Sequence, residues 1–244
     1  KYAATHPDRA TFVMASTGEA VSYSEFEARA NKLTHSLQNE VLRRQAHYSI
    51  MMENNNRYLE ACAAGERAGL YYTCINSFLT ADELAYILDN SESQILITSM
   101  SKLEVAIDAV SQSSKVRKVL VVDADANELP DGFEDYATTC QSFPATPIDN
   151  ERLGTSMLYS SGTTGRPKGI IRPLPEQPPA DALPMYDFLG QLWHYREDMI
   201  YLSPAPLYHS APQAAVNLTI RQGGTVIIME RFDPEAYLSL IEQY

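Results

Sequence analysis

The spacing of apolar residues along this chain switches repeatedly between a period of two and one near three and a half. "ATFVMASTGEAVSY" alternates around Thr17-Gly18, which predicts a hairpin, and the next segment sets Phe26, Ala30, Leu33 and Leu37 on one helical face. "HYSIMMEN" predicts a short strand. "NRYLEACAAGERAG" carries Leu59, Cys62 and Ala63 at i, i+3 and i+4, a helix that should end near Gly69. "YYTCIN" is again a strand, and Thr80-Ala81-Asp82-Glu83 is a capping box opening a helix with Leu84, Ile87 and Leu88 on its buried side. "QILITS", a helix around "LEVAIDAV" and the strand "KVLVVD" continue the alternation.

Strands alternating with helices of this length predict an α/β fold with a mostly parallel sheet covered on both faces, because parallel neighbours need a crossover and the helix supplies it. From about Asp123 to Arg152 the periodicity fades and prolines 130, 144 and 147 appear. A subdomain boundary is expected there, with 1–150 as a first α/β subdomain and 151–244 as the start of a second. The second part reads as a helix around "YDFLGQLWHY", the strand "MIYLSP", a helix from about Ala211 to Gln222 and the strand "TVIIME". A last helix takes Asp233 as N-cap and Pro234 at its first position, with Tyr237, Leu240 and Ile241 facing inward. Tyr72, Tyr86, Trp193 and Tyr208 read as core or pocket-wall aromatics.

Composition narrows the choices. A chain of 244 residues that is 45% apolar can bury a substantial core. Its 31 acidic against 19 basic residues, a formal charge of -12, oppose a nucleic-acid backbone or an anionic lipid surface. No apolar run is long enough to cross a bilayer and no signal peptide is visible, so a cytoplasmic protein is expected, with peripheral membrane contact left open. Cys62, Cys74 and Cys140 are an odd count without a C-x-x-C pair, which suggests neither a disulfide framework nor a zinc site. The chain starts at Lys1 and stops in "SLIEQY", partway through a helix, and is expected to be a fragment.

The most informative stretch is "YSSGTTGRPKG", residues 159–169. By composition alone a Gly/Ser/Thr run is a flexible linker. Here it lies between the apolar segments "SMLY" and "GII" and carries a lysine fixed behind a proline, so it reads as a loop between two strands. A polyphosphate needs close backbone N–H groups, hydroxyl donors and a cation where charge accumulates. Gly162 and Gly165 allow the approach, Ser160, Ser161, Thr163 and Thr164 supply hydroxyls, and Lys168 is the cation. The Walker pattern G-x-x-x-x-G-K-[ST] cannot be laid on it, and the prolines that follow forbid an immediate helix.

At these residues the sequence resembles the phosphate-binding signature of the adenylate-forming enzymes: acyl-CoA synthetases, luciferases and the adenylation domains of peptide synthetases. "VSYSEFEARANKLTHSLQ", the stretch from "NNNRYLEACAAG" to "QILITS", "SPAPLYHSAP" and "GGTVIIMERFDPE" are similar to further family segments. The resemblance covers the whole chain but only about the first half of a family member. It implies an incomplete N-terminal domain of the luciferase-like fold, with the mobile C-terminal domain absent. It also implies that a carboxylate attacks the α-phosphorus of ATP, with Mg2+, giving an acyl-adenylate whose acyl group then passes to CoA. Ser160 to Gly165 and Lys168, closed by Gly169, would hold the β- and γ-phosphates and the departing pyrophosphate.

His209, in "PLYHSAP", has two readings: it lines the carboxylate pocket, as in many acyl-activating relatives, or it satisfies a backbone group before a helix. The absence of an aspartate near this point argues for an acid without an α-amino group, a fatty or other hydrophobic acid. His6, His35, His47 and His194 are given no role, and Arg166 reads as a solvated charge. Two departures stand out. "VLRRQAHYSIMM" replaces the family's glycine-aspartate turn, and "GIIRPLPEQPPADALP" is a proline-rich excursion expected to run over the site. The adenine, ribose and C-terminal lysine contacts would lie past Tyr244, so this chain alone is expected to be inactive. Metal-ligating residues and oligomeric state are not assigned. Two alternatives stand beside a CoA ligase: an adenylating enzyme loading a carrier protein, and a non-catalytic nucleotide-binding module.

Overall fold

A computed structural model describes residues 1–125, 129–160 and 166–244. The strands are β1 (Ala10–Met14), β2 (Ala20–Ser22), β3 (His47–Met51), β4 (Tyr71–Cys74), β5 (Ser93–Ser99), β6 (Lys118–Val122), β7 (Phe133–Asp135), β8 (Thr155–Ser156), β9 (Leu158–Ser160), β10 (Lys168–Ile170), β11 (Ile200–Ser203) and β12 (Thr225–Ile228). The chain forms two compact units, one of residues 1–28, 53–56 and 180–244, the other of 29–52 and 57–179. This division differs from a single boundary near residue 150, because β1 pairs in parallel with β12 and draws both ends of the chain into one unit.

The larger unit holds a six-stranded sheet in the order β7-β6-β5-β3-β4-β8, parallel at every pairing. Consecutive residues Ile95, Leu96 and Ile97 of β5 are all fully buried, as are Leu120 and Val121 of β6. Since adjacent strand residues face opposite sides, the sheet is covered on both faces, as the unbroken apolar runs predict. One face packs Met51, Leu96, Val119 and Val121 against Leu84, Ile87 and Leu88 of the helix Ala81–Asn90 and Ala106 and Ala109 of the helix Leu103–Gln112. The helix Tyr58–Ala68 buries Tyr58, Leu59, Glu60, Ala61, Cys62, Ala64 and Gly65, a surface wider than the stripe read from Leu59, Cys62 and Ala63. It closes on Gly69 in the left-handed conformation, at φ 66°.

The capping box at Thr80 is complete: its hydroxyl accepts from the Glu83 N–H, and the Glu83 carboxylate accepts from the Thr80 N–H at 2.9 Å. That backbone bond, with the Thr80 hydroxyl, holds the Glu83 carboxyl below its ordinary 4.5. A depressed folded-state pKa stabilises the fold above the unfolded value and is lost as pH falls through the folded one. Thr80→Ala should cost about 1 kcal/mol, lowering Tm by roughly 2–4 °C at neutral pH, and the gap to the parent should narrow in a pH series below the ordinary 4.5.

In the smaller unit a four-stranded sheet runs β11-β12-β1-β2, parallel except for the β1–β2 hairpin. Gly18 turns that hairpin at φ 71°. The side chain of Asn54 ties residues 53–56 into this unit, donating to the Ala205 and Met229 carbonyls at 3.1 and 2.9 Å and accepting from the Leu207 N–H at 2.8 Å. Asp233 caps the helix Pro234–Gln243 through the Ala236 N–H. Leu240 joins Val13, Ile227 and Met229 in the core with Tyr237 beside them, but Ile241 is 56% exposed, against expectation, because the helix turns it away from that cluster. Of the four aromatics read as core or pocket wall, Tyr72 is buried and Tyr86 and Tyr208 are half-buried. Trp193 is 57% exposed: it caps the end of the helix Pro184–Leu192 and touches only Tyr195 among the described rings.

Among the described residues no helix is long and apolar enough to cross a membrane.

Candidate functional site

The hydroxyl- and glycine-rich stretch is framed by two short strands. β9 and β10 pair antiparallel, with Ser160 opposite Lys168, Tyr159 opposite Gly169 and Leu158 opposite Ile170. The pairing of the two flanking segments agrees with a strand, loop, strand reading. Ser161, Gly162, Thr163, Thr164 and Gly165 lie outside the described residues. Ser160, Lys168 and Gly169 are brought together and are all exposed. Lys168 makes no ion pair among the described residues, so its charge is available to an incoming anion.

The location follows from the sheet. β8 runs parallel to β4, and the Met157 N–H continues the ladder to the Tyr72 carbonyl at 2.9 Å before the chain enters β9. The hairpin therefore leaves at the carboxyl end of β8. In open α/β sheets ligands sit beyond that end of the strands.

Three side chains fix the hairpin to one helix. The Tyr86 hydroxyl donates to the Pro167 carbonyl at 3.1 Å, the Arg166 guanidinium lies 4.9 Å over the Tyr86 ring, and the Tyr159 hydroxyl donates to Asn90 Oδ1 at 2.7 Å. Tyr86 and Asn90 are four residues apart on the helix Ala81–Asn90 and so share a face. Burial, with the neighbouring Tyr86, pushes the Tyr159 phenol up to about 12, so it stays a donor at any physiological pH. Arg166 is thus not a purely solvated charge, and the i, i+4 spacing of Tyr86 and Asn90 was the available signal for this clamp. Gly169 permits close packing: a Cβ there would meet Met157 Cε at 2.3 Å and the Tyr159 ring at 3.0 Å.

The proline-rich segment after the hairpin is tied to the larger unit's sheet edge and to Arg44. Tyr71 donates to the Arg172 carbonyl at 2.7 Å, Arg44 Nη2 donates to the Pro175 carbonyl at 3.0 Å, and Leu174 is buried with Tyr71 and Met157.

His209 belongs to the other unit. It is the exposed residue before the helix Ser210–Arg221, its ring lies 4.4 Å from that of Tyr208, and its side chain makes no capping bond. Among the described residues no group of three or more His, Cys, Asp or Glu side chains could hold a metal ion.

Compared with known proteins, the sequence matches the AMP-binding enzyme family over residues 1–244. The chain belongs to that family. It is 24% identical over 238 residues to 4-coumarate–CoA ligase 1 of Petroselinum crispum, an alignment covering 97% of this chain and 43% of the relative. The fold is that of a long-chain-fatty-acid–CoA ligase from Archaeoglobus fulgidus, with TM-score 0.80 at 20% identity, covering 99% of this chain and 48% of that one. The ATP-bound form of MatB from Rhodopseudomonas palustris superposes with TM-score 0.75 at 24% identity, covering 99% and 47%. The chain thus spans less than half the length of these AMP-binding relatives.

Proposed function

We propose that the chain is part of an ATP-dependent ligase that converts a hydrophobic carboxylic acid to an acyl-adenylate and then to a CoA thioester. The observation that carries this reading is the β9–β10 pair, which sets Lys168 opposite Ser160 just past the carboxyl end of β8, with the sequence between them rich in hydroxyls and glycine. In this role Ser160, Ser161, Gly162, Thr163, Thr164, Gly165 and Gly169 offer amides and hydroxyls to the triphosphate, and Lys168 faces the charge that builds on the pyrophosphate as it leaves. Magnesium enters only as the companion of the triphosphate, with no described residue assigned to it. His209 lines the acid pocket, and the absence of an aspartate near it in the sequence favours acids without an α-amino group.

Support for the acid class comes from the names of the relatives, which include a coumarate ligase and a fatty-acid ligase. ATP–pyrophosphate exchange in the full-length protein, run against hydroxycinnamic, fatty and amino acids, tests it. Exchange is expected with one of the first two classes. Exchange with amino acids alone, or with none, overturns the reading. Thioester formation with CoA against a phosphopantetheinylated carrier protein then decides the acceptor.

A further inference from the structure

Away from the hairpin, within the larger unit, a cavity of about 220 Å³ is lined by Arg29, Lys32, Arg57, Glu60, Tyr136 and Cys140, among others. Arg29 and Lys32 are one turn apart on the helix Tyr23–Asn39, Arg57 and Glu60 one turn apart at the start of the helix Tyr58–Ala68, and Tyr136 and Cys140 one turn apart on the helix Tyr136–Gln141. Three elements thus converge on one carboxyl group.

Glu60 is only 1% exposed. Its Oε1 accepts from the Tyr136 hydroxyl at 2.8 Å and from Arg57 Nη1 at 3.4 Å. Among the described residues its buried Oε2 accepts no hydrogen bond, and Arg29 Nη1, 3.9 Å away and also buried, donates none. Leaving such groups unmet is costly, and native structures do so rarely. The 3.9 Å gap is too long for a direct hydrogen bond and fits a single bridging oxygen that accepts from Arg29 and donates to Glu60. A hydroxyl does both.

Charge and size narrow the ligand further. Three cationic side chains face one carboxyl, in a chain that is strongly acidic elsewhere. Arg57 is already engaged, by Glu60 among others, which leaves Arg29 and Lys32 to meet an anion. The volume is below the roughly 300–1,000 Å³ of sites for drug-sized molecules. Burial, then Glu60, pushes the Cys140 thiol up to about 12, which disfavours the thiolate form on this wall of the cavity.

We propose that this cavity binds a small anion bearing a hydroxyl group, with that hydroxyl between Arg29 and Glu60 and the anionic group on Lys32. The class includes hydroxy dicarboxylates and phosphate esters of polyols, which the test separates. Isothermal titration of the full-length protein with L-malate and with glycerol 3-phosphate should show saturable binding of at least one. For malate, succinate is the control without the hydroxyl, and for glycerol 3-phosphate, methyl phosphate; each control should bind at least about tenfold more weakly. Lys32→Gln, a change on a half-buried helix face, should weaken the bound probe about tenfold or more while leaving Tm within a few degrees. Lys168→Ala should leave it unchanged, so that failure of the ligase reading and failure of this one are distinguishable. No binding of either probe, equal binding of the control, or indifference to Lys32→Gln overturns the proposal.

Discussion

Lys168→Ala in the full-length protein should lower ATP–pyrophosphate exchange by roughly two to three orders of magnitude, the usual loss when one preorganised group facing developing charge is removed. The lysine is exposed, has no ion pair among the described residues and sits opposite Ser160 in the β9–β10 pair. Its removal therefore breaks no packing, and Tm should move by no more than about 2 °C. An unchanged exchange rate in a folded Lys168→Ala protein removes the assignment. Lys168→Arg adds resolution. A guanidinium keeps the charge but spreads it over a planar fork, so partial activity indicates that charge matters most, and full loss that the compact ammonium does. In the proposed role, where the lysine opposes charge that grows along the reaction coordinate, the fall should appear in kcat as well as in kcat/KM.

The features read correctly from the sequence are those set within a few residues of each other. The Thr80 box, the Asp233 cap, the Gly69 stop and the Thr17-Gly18 turn are short-range hydrogen bonding or backbone geometry, and each appears as read. The parallel sheet followed from strand and helix alternation. What escaped depends on partners far along the chain. β7 and the helix Tyr136–Gln141 are too short to show a period, and Tyr136 is buried by its bond to Glu60. The β1–β12 pairing leaves no local mark in either strand. At the candidate site, the strands on either side of residues 161–165 were legible because apolar segments flank the polar run. The clamp left only the i, i+4 spacing of Tyr86 and Asn90 as a trace, because their partners Pro167, Arg166 and Tyr159 lie about 70–80 residues away along the chain.

The hairpin's position depends most sharply on one residue that sequence reasoning passed over. Gly154, just before β8, donates to the Glu66 carbonyl at 2.9 Å. A Cβ there would stand 2.1 Å from the Gly65 carbonyl oxygen and 2.4 Å from that of Leu70. Both are backbone atoms, one in the helix Tyr58–Ala68 and one at the entry to β4, so no side chain can rotate out of the way. Relief requires β8 to move off β4, which breaks the Thr155 and Met157 N–H bonds to the Leu70 and Tyr72 carbonyls. Gly154→Ala should cost on the order of 3 kcal/mol, the upper end of overpacking in a tight interior. That corresponds to a fall in Tm of roughly 6–12 °C. Because β9 follows directly from β8, the same displacement moves Ser160 and Lys168. Exchange activity should therefore drop at temperatures where the variant is still folded, since a shift of about 1 Å in a positioning element costs about a hundredfold. A Gly154→Ala protein with the parent's Tm and exchange rate would mean that the β4–β8 pairing does not set the hairpin.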